Sequence, residues 1–81
     1  MNKIMAIKVD GRNANALHVQ EVLTKYGCSI KTRVGFHEAS ADLCATDGII
    51  VLQLFGPDSE TKALYDTLEQ LEGVTPRMIE F

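Results

Sequence analysis

The chain has 81 residues, 46% of them hydrophobic and 23% charged, with eight basic and eleven acidic residues giving a net charge of −3. That length accommodates one domain, read here as 1–81, with no room for a separate catalytic or DNA-binding unit. The acidic balance disfavours direct nucleic-acid binding, which needs a basic surface to neutralise phosphates, and no apolar segment approaches the ~20 residues of a membrane span.

The order of elements follows from periodicity. Residues 4–9 form a short apolar run, stopped by Asp10-Gly11, that reads as a strand with Met5, Ile7 and Val9 on one side. From Asn13 to Tyr26 the spacing changes, and Val19, Val22, Leu23 and Tyr26 fall on one face of a helix that Gly27 ends. Residues 28–35 return to period two, placing Ile30, Thr32 and Val34 on one side and Lys31 and Arg33 on the other. Residues 48–55 are the most apolar stretch, with Ile50, Leu52 and Leu54 on one face and Ile49, Val51 and Phe55 on the other. After the turn Gly56-Pro57-Asp58, a second helix capped by Asp58 or Ser59 buries Leu64, Leu68 and Leu71 and stops at Gly73. Residues 74–81 make a last strand whose Pro76 suits a sheet edge, because proline has no amide hydrogen to donate to a ladder.

The two halves repeat. Met5, Ile7, Val9 and Gly11 match Ile50, Leu52, Leu54 and Gly56 at an offset of 45 residues, and the helix-ending glycines Gly27 and Gly73 match at 46. A duplicated strand–helix–strand unit is the pattern of the α+β ferredoxin-like βαββαβ fold, whose four-stranded antiparallel sheet carries two helices on one face. Its other face is left open, with Ile4, Ala6, Ile49 and Val51 on it, and such an apolar patch points to an oligomer interface. A domain this small gains from a partner subunit, so a homo-oligomer, dimer or tetramer, is expected.

Two segments carry candidate chemistry. In the turn Asp10-Gly11-Arg12-Asn13, the glycine admits a close ligand, the free helix amides receive an anion and Arg12 pairs with a carboxylate or phosphate. The same residues also read as an ordinary capped turn. Residues 36–47 make a twelve-residue connection where a hairpin loop takes about 2–5. It holds His37, Glu38, Asp42 and Cys44, of which His37 and Cys44 are the candidate metal or redox ligands, against the alternative of a packed loop. Helical His18 is assigned no role, and Lys31 and Arg33 fit either a solvated strand face or a site for an acidic partner. Motifs for a serine nucleophile, a phosphate loop, a dinucleotide fold or a zinc helix do not occur, so the expected role is non-enzymatic. The two cysteines, Cys28 and Cys44, lack CxxC spacing, which fits free thiols and a cytoplasmic setting.

The stretch HVQEVLTKYGC over residues 18–28, IKTRVGFHE over 30–38, GIIVL over 48–52 and LEGV over 71–74 together resemble the iron-only hydrogenase system regulator family. The resemblance implies an ACT-like domain that regulates the maturation or expression of that hydrogenase, with no enzymatic activity and no established ligand. ACT relatives bind amino acids or other small effectors at subunit interfaces near the first strand–helix turn. That directs attention to Asp10, Gly11 and Arg12 as the site for an amino-acid-like or anionic effector. The nickel-responsive regulators also carry an ACT-like domain, but their dense histidine and cysteine pattern is not visible in a chain with only His18 and His37.

Overall fold

The computed structural model describes residues 3–10, 16–39 and 44–81. In chain order these form β1 (Lys3–Val9), α1 (Ala16–Lys25), a single 3₁₀ turn (Gly27–Ser29), β2 (Ile30–Ala39), β3 (Cys44–Leu54), α2 (Asp58–Glu69) and β4 (Val74–Glu80). The strands make one four-stranded sheet in the order β2-β3-β1-β4, and every neighbouring pair is antiparallel. This is the expected ferredoxin-like arrangement. The two strands at the heart of the repeat lie side by side, with Met5 opposite Leu52 and Ile7 opposite Ile50.

One face of the sheet is covered by the helices. Met5, Ile7, Val9, Leu52, Leu54 and Val74 pack against Val19 and Leu23 of α1 and Leu64 and Leu68 of α2 in a single buried cluster. Period-two spacing in the strands and 3.6-residue spacing in the helices bring these side chains to one layer. Leu71, expected on the buried stripe, is only partly covered because α2 has already ended. β4 is an edge strand, as Pro76 requires, and Pro76 itself is fully buried opposite Ile7. Gly56 and Gly73 adopt φ of 96° and 81°, a region costly for side chains with a Cβ, and so turn the chain into α2 and out of it.

Three local expectations are corrected. The expected alternation along β2 holds only up to Ile30, because a register shift between Ile30 and Thr32 inserts Lys31 as an extra residue. Ile30 stays opposite Leu54 on the covered side. After the bulge Thr32 opposes Gln53 and Val34 opposes Val51, both on the open side, while Arg33 opposes Leu52 and hydrogen-bonds through its guanidinium to Gln20 of α1.

The connection expected over residues 36–47 is mostly strand: β2 continues to Ala39, β3 begins at Cys44, and Ala39 pairs with Cys44. Backbone pairing, which needs no alternation of side-chain polarity, carries the two strands into that stretch. At α2, neither Asp58 nor Ser59 caps the helix. Pro57 occupies the N-cap position without a side-chain cap, and Asp58, already the first helical residue, is bonded to Lys3.

Candidate functional site

The end of β1 that carries the predicted effector turn is held against the start of β4. The backbone N–H of Asp10 donates to the carbonyl of Gly73 at 2.8 Å, and Val9 pairs with Gly48 on one side and Val74 on the other. Asp10, half-buried, therefore sits where the β1–α1 connection and the α2–β4 turn converge. Gly11, Arg12 and Asn13, the rest of that candidate site, lie outside the described residues.

His37 and Cys44 stand at different levels of the β2–β3 hairpin, His37 paired with Gly48 and Cys44 with Ala39. Their side chains, like Glu38 and Asp42 beside them in sequence, lie outside the described residues. Among the described residues, no group of three or more His, Cys, Asp or Glu side chains is placed to hold a metal ion. His18 is exposed on α1, and Cys28 is an exposed free thiol in the 3₁₀ turn.

The open sheet face brings together the predicted interface residues. Ile4 and Ala6 of β1 are half-buried, Val51 of β3 likewise, and Ile49 is exposed. The register adds two residues that the sequence reading did not include: Val34, brought to this face by the bulge, and Ile79, opposite Ile4. Both are large exposed hydrophobics, at 45% and 49% of their full accessibility. Alternation in β4 would have pointed to Ile79, since Val74, Pro76 and Met78 take the covered side. Nothing in the β2 sequence marks the bulge.

At the opposite end of the molecule, an open cleft of about 390 Å³ lies between α2 and the β1–β4 edge, lined by Lys3, Asp58, Thr61, Tyr65, Met78 and Glu80 among others. Lys3 extends the Met5-Ile7-Val9 alternation to the covered side, and its side chain is only 9% exposed. Its ammonium is bonded to the Asp58 carboxylate and lies 3.3 Å from the Thr61 hydroxyl. The hydrogen bond and the charge of Lys3 hold the Asp58 carboxyl below its ordinary range. Lys62 is likewise paired with Asp66, at 3.1 Å. The cations of this cleft are thus satisfied by neighbouring carboxylates, which is the arrangement of a structural ion-pair cluster. The position of Lys3, two residues before Met5, was the sequence signal for it.

No protein-family model matches the chain, and no curated protein matches its sequence. Solved structures do. An uncharacterized protein from Thermotoga maritima superimposes with a TM-score of 0.82 at 27% identity, over 96% of this chain and 92% of its own. The ACT domain from the GTP pyrophosphokinase of Chlorobium tepidum gives a TM-score of 0.71 at 18% identity, covering 98% and 97% of the two chains. A nitrogen regulatory PII-like protein from Thiomonas intermedia, bound to ADP, AMP and bicarbonate, gives 0.56 at 16% identity over 99% and 93%. Architecture and comparisons together establish an ACT-like, ferredoxin-like fold that spans essentially the whole chain.

Proposed function

We propose that the chain is a non-enzymatic regulatory module of the ACT-like kind, which senses a small amino-acid-like or anionic effector and works as a homo-oligomer in the cytoplasm. The reading is carried by the open apolar sheet face: a small ACT-like domain with one face covered by helices and the other bearing Ile4, Val34, Ile49, Val51 and Ile79 has a surface suited to assembly. The ACT domain and the nucleotide-bound PII-like protein among its structural neighbours support a sensing role for the same architecture. The sequence resemblance supplies the context, regulation of the iron-only hydrogenase system.

The effector site belongs at the β1–α1 connection, at Asp10, Gly11, Arg12 and Asn13, where the chain leaves the sheet beside Gly73. A thermal-shift screen of amino acids and anionic metabolites tests it. A stabilising ligand whose shift disappears in Arg12→Ala supports the site; no shift across the screen, or one unaffected by that substitution, overturns it.

A further inference from the structure

The cleft between α2 and the β1–β4 edge carries more negative charge than its ion pairs use. Its lining holds two cations, Lys3 and Lys62, and three carboxylates, Asp58, Asp66 and Glu80. Lys3 is bonded to Asp58 and Lys62 to Asp66, which leaves Glu80 without an ion pair among the described residues. Lys3 stands directly opposite Glu80 in the strand register, yet its ammonium goes to Asp58 and to the Thr61 hydroxyl. Met78 and Glu80, on the same covered side of the sheet as Lys3, form the β4 wall of the cleft. Tyr65, one turn of α2 beyond Thr61, is half-buried on the opposite wall, and its hydroxyl has no partner among the described residues.

We infer that this cleft binds a small organic cation, a primary ammonium carried on an apolar body, at a site separate from the β1–α1 turn. The lining decides the class of ligand. An anion entering the cleft meets three carboxylates and no cation that lacks a carboxylate partner, so it has to break an existing ion pair to bind. An ammonium finds the Glu80 carboxylate open and displaces nothing. It also meets Asp58, whose side chain is 85% exposed despite its bond to Lys3. A metal ion fits less well, because no three carboxylates among the described residues are placed to share one. Beside the carboxylates the cleft offers apolar surface instead: the Met78 thioether suits a hydrocarbon body, and the Tyr65 ring attracts both that body and the cation.

Size and rigidity agree with that occupant. At about 390 Å³ the cleft falls within the range of about 300–1,000 Å³ typical of small-molecule sites. Lys3, bonded to Asp58 and Thr61, ties the first turn of α2 to β1, so the walls are set before any ligand arrives. Glu80 is exposed, and its carboxylate therefore contributes only a few-fold in affinity, as an exposed ion pair does. Contact with the Tyr65 ring adds a comparable factor. Binding of a simple amine is accordingly expected at roughly millimolar concentration, and it weakens as salt screens the charges.

Amide NMR titration of the full chain at neutral pH with three probes of one shape, phenethylammonium, phenethyl alcohol and phenylacetate, tests the site. Phenethylammonium should shift the signals of Thr61, Tyr65, Met78 and Glu80 saturably, and the neutral and anionic probes should bind at least about fivefold more weakly. Glu80→Gln keeps the side-chain shape and removes the charge, and it should raise the phenethylammonium dissociation constant about threefold. Tyr65→Leu, which keeps an apolar wall without the ring, should do the same. Arg12→Ala should leave these shifts unchanged, which separates this cleft from the effector site proposed at the β1–α1 turn. The cation site is overturned if phenethylammonium gives no saturable shift at these four residues or if either uncharged or anionic probe binds as tightly. A dissociation constant that Glu80→Gln or Tyr65→Leu leaves unchanged overturns it as well.

Discussion

The two faces of the sheet are built from the same strands yet differ in what completes them. On the covered face, Met5, Ile7 and Leu52 are wholly excluded from solvent because α1 and α2 supply Val19, Leu23, Leu64 and Leu68. On the open face, residues one step along the same strands, Ile4, Ala6 and Val51, are only half-buried, and Ile49 and Ile79 are exposed. Both faces are rich in branched aliphatics. The covered face therefore stabilises the monomer, whereas the open face leaves much of its apolar surface in contact with solvent.

The sharpest way to break that comparison is to truncate the covered face. Leu64 of α2 is fully buried in the cluster, and Leu64→Ala should cost about 2–5 kcal/mol of unfolding free energy, measured by chemical denaturation, since the transfer loss and the cavity add. For a domain this small that is a large share of the total stability, roughly 5–15 kcal/mol. A cost under about 1 kcal/mol would mean that the core is not where the buried cluster places it.

A second, smaller effect lies at the end of the covered face, where Lys3 is bonded to Asp58. The Asp58 carboxyl is held below its ordinary value near 3.8 by the Lys3 hydrogen bond and charge. A depressed carboxylate contributes stability above its unfolded pKa, and loses that contribution as the pH falls through its folded value. Asp58→Asn should therefore lower the melting temperature by a few degrees at pH 7, with the gap from wild type closing as the pH falls below the ordinary carboxylate range. Asp58 is itself exposed, so solvent screening keeps the effect modest. A gap that stays constant from pH 7 to pH 2.5 would show that the pair does not contribute through its charge.

Most of the fold was legible because its signals are local and repeated. The strand–turn–helix sequence appears twice, and Met5, Ile7, Leu64 and Leu68 occupy the layer that their spacing assigns. What was not legible depends on pairing between strands. Lys31 looks like any polar strand residue, yet the bulge at Lys31 reverses the facing of Thr32, Arg33 and Val34, because register belongs to two strands and cannot be read from one. Residues 36–47, between the two strand patterns, likewise read as a long connection, although backbone pairing extends β2 and β3 well into it. The candidate site was legible in unequal parts: Ile4, Ala6, Ile49 and Val51 share the open face as expected, whereas the place of Asp10 beside Gly73 required the tertiary structure.

The smallest expected effect on the monomer is the most informative about the comparison. Ile79 is half exposed on the open face, paired only with Ile4, so Ile79→Ser should change the unfolding free energy of the monomer by less than about 0.5 kcal/mol at high dilution. Under the proposed association through the open face, the melting temperature of the wild type should rise with protein concentration, because only folded chains associate. Ile79→Ser weakens the open face at its edge and should flatten that dependence while leaving the dilute limit in place. Leu64→Ala should do the reverse, lowering the melting temperature at every concentration with the slope preserved wherever the chain still folds. If the two variants instead shift the curve in the same way, the faces are not separable, and the open face contributes to the monomer as the covered one does.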